Sequence, residues 1–165
     1  MLQTFPVLFS VLAFDQISKW YVLIHGLDLN CNAGFAFGTL PGILNGLIAF
    51  SVLLAVIYVF LKHFSSIGPF NSKLFALALV IGGGTSNIFD RVLRGCVIDF
   101  INFSFLRRLT WLPLPDWFLV GLIKWPAFNL ADAAITIGTI ILIYSLIFPR
   151  LIKEAKGSYP SSPYG

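Results

Sequence analysis

The chain has 165 residues, the size of one domain, and carries a formal net charge of +4. Hydrophobic residues make up 58% of it and charged residues only 11%, about half the charged fraction of an average soluble domain. This composition excludes an ordinary soluble surface, and the lack of any compact run of Lys or Arg in the sequence argues against a nucleic-acid partner. The two cysteines and two histidines do not have the spacing of zinc ligands, so the sequence predicts neither a metal nor a cofactor.

Four apolar stretches come close to the length of about 20 residues that a helix needs to cross a bilayer. They are residues 2–23, 43–61, 74–89 and 128–148. The first has the position of a secretory signal peptide, but Asp15, Gln16 and Lys19 lie in its second half, which predicts a span of the mature protein. The sequence therefore predicts an all-α integral membrane domain over residues 1–150 with four transmembrane helices.

The two longer segments between these spans have different characters. Residues 27–41 are rich in Asn and Gly, and the alternation at residues 35–37 predicts a short strand or turn. The later segment is strand-like at residues 97–103. Its apolar run at residues 112–123 is too short to span and contains prolines, so it is expected to lie at the membrane interface.

Four spans place both chain ends on one side of the membrane, together with the loop 62–73 and a polar, Pro-rich tail at 151–165 that we predict to be disordered. Five basic residues then fall on each side of the membrane. Those on the side of the chain ends are Lys62, Lys73, Arg150, Lys153 and Lys156, and those on the other side are Arg91, Arg94, Arg107, Arg108 and Lys124. The positive-inside rule therefore does not choose an orientation.

An acidic residue in or beside a span needs a physical reason, because a charge near the bilayer centre costs about 2.5–3.5 kcal/mol on insertion scales. Asp15 and Lys19 are four residues apart on one helical face, which predicts an ion pair within the first span. Asp90 adjoins Arg91 at the end of the third span. We expect it to be a structural charge tied to neighbouring basic groups.

Two further acidic residues lack such a local partner. Asp99 follows an apolar, strand-like run, and Asp132 lies in the first turns of the fourth span, on one face with Asn129 and Thr136. Each alone has a structural interpretation as a capped or hydrogen-bonded carboxylate. Together they offer the chemistry of an aspartic peptidase, in which two neighbouring carboxylates share one proton, activate water and protonate the scissile carbonyl.

Five blocks of the sequence, in this order, resemble those of the bacterial lipoprotein signal peptidases (signal peptidase II). They are Asp15 to Lys19, Asn32 to Gly38, Asn87 to Arg91, Gly95 to Phe100 and Trp125 to Asp132. The resemblance implies a four-helix fold of the bacterial inner membrane with both termini cytoplasmic. The active site and the two longer loops then face the periplasm, and residues 27–41 correspond to a small sheet that cradles the substrate.

The resemblance also implies an activity and its residues. The expected reaction removes the signal peptide of a diacylglyceryl prolipoprotein by cutting before the lipidated cysteine, with Asp99 and Asp132 as the catalytic dyad. The residues expected to line, orient or shape the site are Asn87, Arg91, Asn129, Asp15, Lys19, Asn32 and Gly34. Expected partners are these prolipoproteins, membrane lipids and cyclic-peptide inhibitors of the globomycin type.

Two features depart from the family pattern. Ser86 stands where the family has Gly, which predicts looser helix packing there, and the stretch between Phe103 and Trp125 is longer and more apolar than expected. The cysteines are also unassigned by the sequence. Both would lie on the oxidising side, so a disulfide between Cys31 and Cys96 is open, but buried thiols are the default expectation because the spacing does not fix their distance.

Two other classes of function explain part of the pattern. A small transporter or channel subunit would use Asp15, Lys19 and Asp132 as an ion or proton relay. A structural assembly protein would use residues 112–123 as a docking patch. Neither interpretation explains the Asn-Gly loop or the acidic residue after a strand.

Overall fold

A computed structural model of the chain describes residues 4–34, 42–64, 72–104, 106 and 115–148. The elements in chain order are α1 (Thr4–Ile24), β1 (Asn30–Asn32), α2 (Gly42–Phe64), α3 (Ser72–Arg94), β2 (Val97–Asp99), α4 (Asp116–Ile123) and α5 (Leu130–Ile147). A long helix thus overlaps each of the four apolar stretches. Among the described residues, α1, α3 and α5 are long and apolar enough to cross a membrane, whereas the apolar part of α2 is the shorter stretch Gly46–Lys62.

Helix α3 is longer than its apolar stretch predicts. It continues five residues beyond Phe89, to Arg94, because the polar residues of its last turns lie inside the protein. Ser86, Asn87 and Asp90 are all buried. The helix is central to the fold and packs against α1, α2 and α5.

Glycines on α3 and α5 let the helix backbones approach closely. A Cβ atom at Gly83 would lie 2.5 Å from the carbonyl oxygen of Ala131, and one at Gly138 would lie 2.7 Å from that of Ala76. Small residues of this kind are typical where membrane helices pack without a hydrophobic driving force. The contact at Gly83 also positions the first turn of α5 along the axis of α3.

The outer surface of the bundle is apolar, and part of its interior is ionic. On α1 the buried residues are Asp15, Lys19 and Val22, while Phe14 and Ile17 are 66% and 61% exposed. This distribution is the reverse of that of a soluble amphipathic helix. It is expected of a helix that faces lipid on one side and a polar protein interior on the other.

A two-stranded ribbon joins the ends of these helices. Strands β1 and β2 are antiparallel, with Cys31 opposite Ile98 and Asn32 opposite Val97. Strand β2 is shorter than the predicted strand 97–103, and beyond it Ile101 forms an isolated bridge with Phe128. The predicted strand or turn at residues 35–37 lies outside the described residues, and β1 is formed earlier in the chain.

The two cysteines are joined. A disulfide links Cys31 to Cys96, with their Cα atoms 5.5 Å apart. The default expectation of two buried thiols is therefore wrong, because the antiparallel register of the ribbon brings together cysteines that are 65 residues apart in sequence.

The predicted interfacial segment contains a short helix. Helix α4 occupies Asp116–Ile123, and its Trp117 is 77% exposed. Its position relative to a membrane stays a prediction. The tail at 151–165 lies outside the described residues.

We predict that Gly83→Ala lowers stability while Gly46→Ala does not. The new Cβ at position 83 meets backbone atoms of α5, which must move away, at a cost of about 1–3 kcal/mol. A Cβ at Gly46 meets no atom within 4 Å, and alanine has the higher helix propensity. Thermal unfolding in detergent, followed by circular dichroism, measures both variants. Equal melting temperatures for Gly83→Ala and the wild type would contradict the close packing of α3 and α5.

Candidate active site

A buried ammonium group lies at the centre of the polar interior. Lys19 on α1 is fully buried, and its Nζ lies 2.6 Å from Asp15 Oδ2 and 2.8 Å from Asp90 Oδ2. It donates a third hydrogen bond to Asn87 Oδ1 at 3.1 Å, so all three of its donors have an acceptor. The predicted ion pair between Asp15 and Lys19 is confirmed.

Each of the two carboxylates bound to Lys19 also binds a backbone amide. Asp15 Oδ1 accepts from the amide of Ala131 at 2.9 Å, and Asp90 Oδ2 accepts from the amide of Ile98 at 3.2 Å. Ala131 and Ile98 are the residues immediately before Asp132 and Asp99. The ion cluster therefore fixes the backbone beside both predicted catalytic residues.

Arg94 completes the charge balance of this cluster. It forms an ion pair with Asp90, and its own side chain is 25% exposed. Two acidic and two basic side chains therefore neutralise one another, with Arg94 at the edge of the cluster and the other three fully buried. The expectation that Asp90 is tied to basic groups is confirmed, but its partners are Lys19 and Arg94 and not the adjacent Arg91. The spacing of four residues between Asp90 and Arg94 on one helix is the signal that could have identified Arg94.

Ser86 on α3 and Gln16 on α1 add further hydrogen bonds to the carboxylates of this ion cluster. The Ser86 hydroxyl donates to Asp15 Oδ2 at 2.7 Å and accepts from Gln16 Nε2 at 2.9 Å. Gln16 Nε2 also lies 2.9 Å from Asp90 Oδ1. The expectation of looser packing at Ser86 is wrong, because this side chain is fully buried and hydrogen-bonded to α1.

Two asparagine amides connect the ion cluster to the two aspartates. Asn87 Oδ1 accepts from Lys19, so its Nδ2 is free to donate to Asp132 Oδ1, at 2.8 Å. Asn129 Oδ1 accepts from the amide of Asp132 at 2.9 Å, and its Nδ2 donates to Asp99 Oδ1 at 2.8 Å. Because an ammonium and a backbone amide only donate, the orientation of both side-chain amides is determined.

Asp132 is fixed by the start of α5. Asn129 is the N-cap of this helix, and the Asp132 carboxylate returns a hydrogen bond by accepting from the Asn129 amide at 3.2 Å. This reciprocal pair is a capping box. The sequence-based placement of Asp132 in the first turn of the last span, beside Asn129, is confirmed.

Asp99 lies at the end of β2, outside the spanning helices, and is 2% exposed. Its Oδ2 accepts from Asn32 Nδ2 at 3.0 Å. Burial raises the pKa of Asp99 to about 6, with the hydrogen bond from Asn32 opposing this change and the nearby charge of Asp132 adding to it. The two carboxylates are therefore close enough to influence each other's titration.

Arg91 ties the chain after β1 to α3. Its Nη2 donates to the carbonyl oxygen of Gly34 at 3.1 Å and its Nη1 to that of Asn87 at 3.2 Å. Its Nε is buried and has no hydrogen-bond partner among the described residues. With Gly34 held in this way, all nine predicted site residues belong to one connected network, although their roles in catalysis stay predictions.

The carboxylates of Asp99 and Asp132 are linked through the amides of Asn129 and Asn87 in one polar network at one end of an apolar helix bundle. This arrangement supplies the groups that a membrane aspartic peptidase uses. Comparison with known proteins identifies the family. The sequence model described as Signal peptidase (SPase) II matches residues 7–148. The chain belongs to the signal peptidase II family and is an aspartic peptidase, so the transporter and assembly interpretations are set aside.

Individual relatives cover most of the chain. A lipoprotein signal peptidase of Anaplasma phagocytophilum is 35% identical over 151 residues, covering 83% of this chain and 86% of the relative. One from Burkholderia mallei is 34% identical over 169 residues, with coverage of 88% and 87%.

Two solved structures of bacterial membrane enzymes have the same fold. The first has a TM-score of 0.67 at 22% identity and covers 98% of this chain and 94% of its own. The second has a TM-score of 0.64 at 25% identity and covers 90% of this chain and 94% of its own.

We predict that Ser86→Ala lowers the stability of the protein by about 1–3 kcal/mol, because it removes the hydrogen bonds of the buried hydroxyl to the Asp15 carboxylate and from Gln16, and hydrogen bonds to charged groups are the stronger ones. Ser145→Ala is the matched control. Ser145 is also buried on a long helix, but its hydroxyl donates to the carbonyl oxygen of Leu142 within the same helix. Thermal unfolding in detergent compares the two variants, and an equal loss in both would show that Ser86 does not connect α1 to α3.

Proposed function

We propose that the chain removes the signal peptide of diacylglyceryl-modified prolipoproteins by cutting before the lipidated cysteine, with Asp99 and Asp132 as the catalytic dyad. The names of its relatives support the substrate class. The observation that carries the assignment of the dyad is the pair of amide bridges, in which Asn129 donates to Asp99 and Asn87 donates to Asp132.

The hydrogen bonds to the two carboxylates leave some of the oxygen lone pairs free. Among the described residues, each oxygen of Asp99 accepts from one amide of Asn129 or Asn32. Each oxygen of Asp132 likewise accepts one hydrogen bond, from Asn87 or from the amide of Asn129. A carboxylate oxygen has two lone pairs, so each oxygen keeps a site for water or for the shared proton.

The reaction follows from one proton shared by two carboxylates. The ionised member takes a proton from water as the water attacks the scissile carbonyl, and the neutral member protonates the carbonyl oxygen. The pKa of Asp99, which burial raises to about 6, supports proton sharing near neutral pH. Arg91, Asn32 and Gly34 border this position and are proposed to orient the substrate backbone.

We place residues 1–150 in the bacterial inner membrane as one domain with four spans, including α2, and residues 151–165 as a cytoplasmic tail. The ribbon and the dyad face the periplasm in this arrangement. The disulfide between Cys31 and Cys96 supports it, because disulfides persist in oxidising compartments. Helix α4, with its exposed Trp117, lies at the outer interface and contacts lipid or the acyl chains of the substrate.

Inhibition is a separate part of the proposal. Globomycin-type cyclic peptides inhibit the enzyme.

We predict that Asp99→Asn and Asp132→Asn each lower kcat by at least about 100-fold, since either change removes one partner in proton transfer. The assay follows cleavage of a lipidated prolipoprotein by purified protein in detergent. Asp28→Asn is the control, because Asp28 is an exposed loop residue and its variant retains wild-type activity. Near-normal turnover by a folded Asp99 or Asp132 variant would show that the residue is not catalytic.

Removal of metal ions is a separate test. The wild type is expected to retain its activity in EDTA.

We predict that reporter fusions after Ser66 and in the tail read cytoplasmic, and that fusions near Asn30 and Leu109 read periplasmic. The physical reason is that α2 and α3 form a hairpin that returns the chain to the periplasmic side. Each position is fused in turn to alkaline phosphatase, which is active in the periplasm, and to green fluorescent protein, which fluoresces in the cytoplasm. Opposite locations for the Asn30 and Leu109 fusions would exclude four spans.

A further inference from the structure

The ribbon that carries Asp99 is short and mostly uncovered on one side. Each strand has three residues, and in β1 Asn30 and Cys31 are exposed while Asn32 is half-buried. Strand β2 is fully buried. A two-stranded ribbon of this size is marginal by itself, so the position of β1 depends on additional links.

The disulfide is the covalent link, and it is adjacent to the contact with the dyad. Cys31 directly precedes Asn32, and Cys96 directly precedes β2. Asn32 is opposite Val97 and reaches Asp99 diagonally, on the same face of the ribbon. A shift of the strand register by one residue would turn Asn32 to the other face and remove this hydrogen bond.

We infer that the Cys31–Cys96 disulfide is a positioning element of the active site, which holds β1 in the register that lets Asn32 donate to Asp99. The inference rests on the proposed role of Asp99 in peptide cleavage. The two cysteines contact neither substrate nor reacting atoms, and they act through Asn32. The oxidised protein is therefore the fully active form.

The expected direction of the effect follows from the groups around Asp99. Asn32 on β1, Asn129 and Lys19 favour its ionised form, whereas burial and the charge of Asp132 on α5 favour its protonated form. On α3, Arg91 also interacts with Asp99, and the Asp90 carboxylate binds the amide of the preceding residue, Ile98. Losing Asn32 alone therefore raises the pKa of Asp99 further and moves the pH profile of the reaction to higher pH.

The test compares the oxidised wild type, the same protein reduced with a phosphine, and the double variant Cys31→Ser with Cys96→Ser. Each is assayed on a lipidated prolipoprotein across pH. Reduction and the double variant are expected to move the profile of kcat/KM to higher pH. They are also expected to lower kcat at the optimum of each profile by on the order of tenfold, a fraction of what acid–base catalysis supplies. The reductant has no effect on the double variant, which controls for its other actions.

Asn32→Ala separates positioning from general stability. In the oxidised protein it is expected to reproduce the shift of the pH profile, and in the double serine variant it adds no further shift, because the two changes act through one contact. A carbon-13 NMR titration of the Asp99 carboxyl reports the same pKa change without any substrate.

Three results would overturn the inference. One is a pH profile and an Asp99 titration that do not change on reduction. Another is additive shifts from Asn32→Ala and the double serine variant. The third is loss of helical circular dichroism on reduction, which would make the disulfide a stabiliser of the whole fold. Failure of the oxidised wild type to cleave the precursor would instead refute the proposed function, and the NMR titration would still decide the positioning role.

Discussion

The structure depends on one buried ammonium group. Lys19 has no exposed surface, yet it is held between Asp15 and Asp90 at ion-pair distances. An unpaired charge would be prohibitive in such a place, and removing one partner of a buried pair typically costs about 3–5 kcal/mol. The same charges restrict how the helices pack, since the three donors of the ammonium group find their acceptors on both α1 and α3.

Close helix packing lets this cluster fix the backbone at the candidate active site. At Gly83 the backbones of α3 and α5 are separated by less than a side chain would allow. The start of α5 therefore lies within reach of Asp15 on α1, whose carboxylate binds the amide of Ala131. Lipid outside the bundle offers no competing hydrogen bonds, so an internal polar network is the remaining way to satisfy these groups. Burying these polar groups therefore costs desolvation free energy, and their hydrogen bonds position the backbone at the candidate site.

Local patterns in the sequence predicted the features that depend on neighbouring residues in the chain. Apolar length located the four long helices, and a spacing of four residues predicted the pair of Asp15 and Lys19. The end of α3 was missed because hydropathy counts composition and does not register that polar residues face the interior. Contacts between elements, such as Ser86 with Asp15 or Cys31 with Cys96, depend on register and packing that no spacing specifies. The family blocks selected the nine predicted site residues, but the direction of each side-chain amide came only from the three-dimensional network.

The two aspartates are held by different kinds of constraint, and this difference divides the tasks of the surrounding residues. The ion cluster fixes two backbone positions, those of Ala131 and Ile98, through bonds that do not depend on the side chains there. The side chain of Asp132 is then set by the helix start that it caps, whereas that of Asp99 requires Asn32 from a short, exposed strand. A fault in the ion cluster displaces both carboxylates together. A fault in the ribbon removes the donor on Asp99 Oδ2 and leaves the bonds of Asp132 in place, so it alters the balance between the two carboxylates. The covalent link is therefore found on the ribbon, where hydrogen bonds alone provide the weaker constraint.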